Sequence, residues 1–308
     1  MRFYKKEIHY YNLNCSKQNI HNQGALLKIS FDSHNYQVFD IFTWNRIKGT
    51  KLSELLNQIK TNNIKNEMVK KQFSHLLPPS KHEEKITQHN IQSYKSNKLG
   101  PSETYTSINK LKINHRNINQ LWKTLENNKE KKFILDFNNC FKLNELISMK
   151  EKFHFFKNNI TYIEDPTPFK PTDWIKLSNI IKCEFAADHL DELFDPALFK
   201  KKAFKHIILK PYKIKINKEW FEEDVPVKFT FTSYLNHPLH YFHQIKESCY
   251  WIKKYPDRFN KYHGFDNIHY YDNVFKLNKF CTYDNNIFYI NHERIKKEFY
   301  EKINWKLL

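Results

Sequence analysis

The chain has 308 residues, 40% hydrophobic and 16% aromatic, with 51 Lys+Arg against 33 Asp+Glu and a formal net charge of +18. This size and apolar content exclude global disorder and leave room for one barrel-sized domain plus a smaller one. No apolar run reaches the roughly 18 residues that span a bilayer, and the N-terminal MRFYKKEIHYY lacks the apolar stretch of a signal peptide. The expectation is a soluble, cytoplasmic protein with no membrane partner. The five cysteines are scattered and form no CxxC pair, so neither a disulfide framework nor a zinc knuckle is expected. The positive charge runs through the whole chain with a bias toward Lys, Asn, Ile, Phe and Tyr. No zinc-finger spacing, RNP aromatic motif or GxxG clamp accompanies it. No nucleic-acid partner is therefore expected; a nucleic-acid-binding protein on a degenerate barrel is the alternative of another class.

Residues 1–48 read as a strand meander. YKKEIHYY, ALLKISF and YQVFDIF are β-rich runs separated by polar turns around Asn12–Asn22 and Asp32–Asn35. Apolar positions at Leu52, Leu55, Leu56, Ile59, Ile64, Met68 and Phe73 predict a helix over 52–73. LLPPSKHEEKITQHN is a Pro-containing linker or cover, and Gly100-Pro101 marks a break. From about residue 105 strands and helices alternate. The strands are 107–113, 132–138, 160–165, 183–188, 206–211 and 227–233; the helices are 117–127, 143–157, 172–181, 191–202, 217–223 and 237–254. Such alternation implies parallel strands with right-handed crossovers. No Gly-rich phosphate turn supports a doubly wound sheet, so a barrel is preferred. The tail from 268 to 308, with FCTYD and IFYI, is expected to pack back on the meander. This divides the chain into a cap (1–100), a barrel (101–270) and a returning segment (271–308).

Charged residues close the short apolar runs. Lys112, Asp136, Glu164, Asp188 and Lys210 follow one another at separations of 24, 28, 24 and 22 residues. Each step fits one strand, one helix and a return. Charge is costly inside a strand buried on both faces, but strand ends are where a parallel barrel presents its catalytic groups. Asp136, Glu164 and Asp188 offer three hard oxygen ligands from consecutive strands, which suits Mg²⁺. Sulfur and imidazole are absent from these positions, which argues against zinc. Lys110 shares a face with Lys112, and Asn138 shares one with Asp136, where it can orient that carboxylate. Lys210 stands across the mouth from Lys112. A lysine that acts as a base must be neutral, and lowering its pKa from about 10.4 to about 7–8 costs about 4 kcal/mol. A neighbouring ammonium and a nearby dication both push in that direction. The chemistry expected of this set is proton abstraction next to a carboxylate, with metal-assisted stabilisation of the enediolate. Taken singly, each residue also fits a surface lysine, a turn acid or a helix cap. Together, each closing an apolar run in this order, they point to one shared site.

That order resembles the enolase superfamily, and most closely its o-succinylbenzoate synthases. The residues that carry the resemblance are NKLKIN (109–114), ILDFNN (134–139), YIEDP (162–166), FAADH (185–189), ILKP (208–211), TSYLNHPLH (232–240) and HGFDN (263–267). The resemblance implies an α/β fold, a modified (β/α)₇β TIM-like barrel under an N-terminal α+β capping domain. It implies Lys112 as general base and then acid, and Lys210 as the cation that stabilises the enediolate. It also implies Asp136, Glu164 and Asp188 as Mg²⁺ ligands, with Lys110, Ser233 and Gly264 binding a small-molecule carboxylate substrate. The implied reaction is that of a carbon–oxygen lyase, dehydrating 2-succinyl-6-hydroxy-2,4-cyclohexadiene-1-carboxylate to 2-succinylbenzoate in menaquinone biosynthesis. Racemisation of an N-acylamino acid or epimerisation of a dipeptide is the alternative within the superfamily. The chain departs from the pattern at Ile134, His189, Asn236 and His240, where the family commonly has a basic residue, Glu, Glu and Gly. Oligomeric state is not legible from the sequence.

Overall fold

The computed structural model describes residues 5–15, 20–32, 36–42, 51–65, 70, 84–87, 90–92, 108–188, 202–211, 216–222, 225–233, 238–265, 281–284, 287–290 and 292–308. The predicted helix 191–202 lies, but for its last residue, outside them. So do His189, Asn236, the Gly100-Pro101 break and the Asp32–Asn35 turn beyond Asp32. No described helix is long and apolar enough to cross a membrane.

The N-terminal meander forms an antiparallel sheet. Strands β1 (Lys5–Cys15), β2 (Ile20–Ser30) and β3 (Tyr36–Phe42) pair in sequence, and the terminal β14 (Lys306–Leu307) adds to the outer edge of β1. The first turn is shorter than the sequence predicts, because Asn12–Cys15 continue the ladder against Ile20–Gln23. Cross-strand pairing overrides the low strand preference of Asn here. Tyr11 stands opposite Gly24, and a Cβ on Gly24 would fall 2.2 Å from the Tyr11 hydroxyl oxygen. The missing side chain is therefore what admits the tyrosine ring, whose hydroxyl donates to the buried Asp40. Both faces of this sheet are covered. Ala25, Leu27, Ile29 and Ile41 meet Leu55, Leu56 and Ile59 of helix α1 (Leu52–Lys60). Tyr11, Leu26 and Val38 join the core of the rest of the chain. Of the predicted helix 52–73, α1 ends at Lys60 and Asn62 turns the chain at φ 56°; residues 66–69 and 71–73 lie outside the described residues, and Lys70 is helical.

A second sheet is parallel throughout. Among the described residues it holds β5 (Asn90–Gln92), β6 (Ile108–Lys112), β7 (Lys132–Asp136), β8 (Ile160–Glu164), β9 (Phe185–Ala187), β10 (His206–Leu209) and β11 (Lys228–Phe231), side by side in chain order. Bridges from Phe229 to Phe259 and from Thr232 to Gly264 carry it on to one more segment. Strand β5 falls inside the 1–100 stretch yet pairs with β6. The crossovers run through α2 (Ile118–Glu126), α3 (Leu143–Ser148), α4 (Lys150–Phe156), α5 (Pro171–Ile181), α6 (Glu219–Glu222) and α7 (Pro238–Lys254). The single helix predicted over 143–157 is two helices, broken at Met149 with φ −97° and ψ 10°. A third small sheet joins β4 (Glu84–Thr87) to β13 (Ile287–Ile290) and β12 (Cys281–Asp284), followed by α8 (His292–Glu298).

Strand alternation sorts the parallel sheet into two faces. Leu111, Phe133, Leu135, Ile163, Phe185, Ile207, Leu209, Phe229 and Phe231 point outward and pack with Leu121, Trp122, Phe153, Trp174 and Phe242 of the helices. Each of these large side chains contributes about 1.5–3 kcal/mol on burial. On the inner face Ile134, Tyr162, Ala186 and Ile208 form a separate small cluster, with Tyr162 stacked on His206 at 4.4 Å between ring centres. Lys110 and Thr230 share this layer and are also buried. The next inward positions up the strands are Lys112, Asp136, Glu164, Asp188, Lys210 and Thr232. The charges expected at strand ends therefore form one layer, resting on a mostly apolar floor.

Candidate active site

Lys112 ends β6, Asp136 ends β7 and Glu164 ends β8, in direct register: Lys112 opposes Asp136, and Asp136 opposes Glu164. Asp188 and Lys210 each follow the last residue of their strand. The structure thus brings the five charges to one edge of one sheet, with two lysines flanking three carboxylates.

Their contacts divide them into two groups. Lys110 Nζ donates to Glu164 Oε1 at 2.6 Å and lies 3.0 Å from Asp136 Oδ2. Lys112 Nζ reaches the same Asp136 oxygen at 3.1 Å. The other Asp136 oxygen accepts from the side chain of Asn138, and from its backbone N–H at 3.2 Å. Asn138 thus hydrogen-bonds Asp136 through both its side chain and its backbone. On the far side Lys210 pairs with Asp188. The Lys112 side chain is 30% exposed and that of Lys110 only 7%, so the two lysines of the KxK motif occupy different environments. Lys110, expected to contact substrate, lies one layer below the mouth with its ammonium between two carboxylates.

Burial and charge act against each other here. Burial alone would lower the pKa of Lys110, but Asp136, Glu164 and Asp188 outweigh it and hold the ammonium well above the ordinary lysine range. Lys210 is likewise raised, by Asp188 and Glu164 against burial. Burial would raise Asp136, yet Lys110 and Lys112 hold it below the usual carboxylate range. Burial and the Asp136 charge push Glu164 upward. Around Lys110 and Lys210 carboxylates outnumber the other cations, so each ammonium is raised despite burial. The two neighbouring carboxylates are thus pushed in opposite directions, Asp136 down and Glu164 up.

Ser233 and Gly264 are adjacent. Ser233 N–H donates to the Gly264 carbonyl at 2.8 Å and its hydroxyl to the same oxygen at 3.3 Å. Ser233 lies just past the end of β11, one strand beyond Lys210, and Gly264 on the segment bridged to it. Two residues that sequence reasoning left aside prove to shape this edge. Asp165 accepts the backbone N–H of Asp188 through Oδ1 at 3.0 Å. His263 Nδ1 accepts the Phe231 N–H at 3.1 Å. Asp165 adopts a left-handed φ of 45°, which Asp tolerates better than most residues although the following Pro166 favours an extended backbone there. Asn138 and Asn139, at φ 44° and 59°, turn the preceding loop in the same way.

The carboxylates suit a hard divalent cation by donor type. Glu164 Oε2 is buried with no hydrogen-bond partner among the described residues, an acceptor with unused lone pairs. Among the described residues no three Asp, Glu, His or Cys side chains converge into a ready cage, since Lys110 stands between Asp136 and Glu164.

No family model matches the sequence, and no curated protein matches it. Solved structures do match the fold. MenC from Desulfotalea psychrophila is 13% identical, with 92% of this chain and 99% of that chain covered and a TM-score of 0.61. The L-Ala-D/L-Glu epimerase from Bacillus subtilis, in a substrate-liganded complex, is 13% identical over 94% and 97%, at a TM-score of 0.65. A member of the enolase superfamily from Listeria innocua is 10% identical over 100% of both chains, also at 0.65. With the antiparallel cap, the parallel sheet and its row of charged strand ends, these likenesses establish that this chain has the fold of the enolase superfamily.

Proposed function

We propose that this protein is an enzyme that removes the proton next to a substrate carboxylate, and that it dehydrates 2-succinyl-6-hydroxy-2,4-cyclohexadiene-1-carboxylate to 2-succinylbenzoate. The observation that carries this reading is the row Lys112, Asp136, Glu164, Asp188, Lys210 along consecutive strand ends, with cationic side chains at its two extremes. Asp136, Glu164 and Asp188 would hold Mg²⁺, which when bound supplies positive charge for the substrate carboxylate. Lys112, the more exposed lysine of its strand, takes the α-proton. It returns that proton to the departing hydroxyl, which leaves as water, so one side chain serves as base and then acid. Lys210, kept charged by Asp188, faces the developing negative charge from the other side and stabilises it electrostatically. The floor of Ile134, Tyr162, Ala186 and Ile208 keeps water from entering beneath the reacting groups. Ser233 and Gly264 border the side of the mouth beyond Lys210, where the succinyl tail would lie.

A second reading uses the same two lysines, one on each face, for racemisation of an N-acylamino acid or epimerisation of a dipeptide. The flanking arrangement favours it as much as it favours dehydration, and the fold is also that of an L-Ala-D/L-Glu epimerase. The two are separated by incubating the purified protein with MgCl₂ and each substrate class. Formation of 2-succinylbenzoate supports the first. Deuterium incorporation at the α-carbon of dipeptides or N-acylamino acids, without 2-succinylbenzoate formation, replaces it with the second.

A further inference from the structure

The two lysines of the KxK motif are two residues apart and touch the same Asp136 oxygen, yet they differ in kind. Lys112 meets solvent. Lys110 rises from the floor layer, among Ile134, Tyr162, Ala186, Ile208 and Thr230, and is 5% exposed. Its ammonium ends 2.6 Å from Glu164 Oε1 and 3.0 Å from Asp136 Oδ2. A hard divalent ion held by those two oxygens approaches each to about 2.0–2.1 Å. An ammonium bonded to both leaves no room for it, and the like charges repel.

We infer that Lys110 is a built-in counter-cation that competes with the divalent ion for the Asp136–Glu164 pair. It holds the two carboxylates together in the metal-free protein and must withdraw when the ion enters. This rests on the reading that Asp136, Glu164 and Asp188 form a metal site. Its consequence is a division of labour within NKLKIN: Lys112 works on the substrate, and Lys110 sets how tightly and how selectively the cation is held. A buried charge that loses its partner is costly, so without the Lys110 ammonium Asp136 and Glu164 would repel each other until a cation arrives.

The test is calorimetric titration of the full chain with MgCl₂, read beside thermal unfolding with and without MgCl₂. Lys110→Met removes the charge at similar length. It is expected to bind Mg²⁺ at least tenfold more tightly than the unaltered protein. It should also melt at lower temperature without Mg²⁺ and show a larger Mg²⁺-induced rise. Lys110→Arg, which keeps the charge, is expected to gain no affinity. Should Lys110→Met fail to fold, Lys110→Gln keeps an uncharged donor between the carboxylates and carries the same expectation. Equal or weaker Mg²⁺ affinity in the uncharged variants, with measurable binding in the unaltered protein, overturns the inference and leaves the metal reading standing. Absence of Mg²⁺ binding in every form overturns both. Unfolding of both uncharged variants that MgCl₂ does not reverse also overturns the inference.

Discussion

Asp165 holds Asp188 in place: its Oδ1 accepts the Asp188 backbone N–H at 3.0 Å, across the gap between the ends of β8 and β9. Strand β9 has only three residues, so its own ladder fixes its end weakly. Asp165 is 3% exposed and sits at φ 45°. Asn tolerates that backbone and offers the same acceptor; Ala does neither. Asp165→Ala is expected to lose about 1–3 kcal/mol in urea denaturation, and Asp165→Asn less than about 1 kcal/mol. Equal losses in the two variants would show that the acceptor and the turn are not what Asp165 supplies.

The cap makes a separate prediction. Because Tyr11 lies over Gly24, with its hydroxyl on Asp40, Gly24→Ala must displace a buried ring and is expected to cost about 1–3 kcal/mol. In a Tyr11→Ala background the same change meets no ring, and its cost should fall to a few tenths of a kcal/mol. A double-mutant cycle by thermal denaturation measures the difference. Additive losses would contradict the close approach.

Acid should destabilise the protein partly through the buried His263 and the half-buried His243. Burial depresses His263 to about 3 and His243 to about 4. Unfolded, each titrates near 6.5. Below pH ~6.5 the unfolded chain therefore binds protons that the folded one does not. Stability is full above that pH and falls by about 1.4 kcal/mol per pH unit per histidine, down to the folded-state values. Asn in place of His263 keeps an acceptor for the Phe231 N–H but cannot titrate. Denaturation followed from pH 7 to 4.5 should be about one proton shallower in His263→Asn. An unchanged slope would show that His263 is charged in the folded protein or not buried.

Much of the site was legible because charge at the end of an apolar strand has few places to go. Parallel register then aligned Lys112, Asp136 and Glu164 without any long-range information beyond the strands themselves. Strand positions from β6 to β11 followed from the same runs. What sequence pattern missed depends on tertiary partners. Asn12–Cys15 read as turn because Asn disfavours strands, yet the ladder extends through them. The break at Met149 leaves no Gly or Pro signal, and both flanking segments keep helical periodicity. Lys110 and Lys112 look equivalent in NKLKIN, since a two-residue spacing fixes the face but not the depth. Only the height of the strand in the barrel separates a buried ion pair from a partly solvated lysine.

The central claim is that Lys112 and Lys210 act on opposite faces of one substrate. Its most direct test is the rate of 2-succinylbenzoate formation from the cyclohexadiene carboxylate, in Mg²⁺, by the unaltered protein, Lys112→Ala and Lys210→Ala. Each variant should remain folded by circular dichroism. Lys112→Ala should lose about 10²–10⁴-fold as a missing acid–base group, and Lys210→Ala about 10²–10³-fold as a missing electrostatic stabiliser. Full activity in either variant, or no 2-succinylbenzoate from the unaltered protein, would contradict the account.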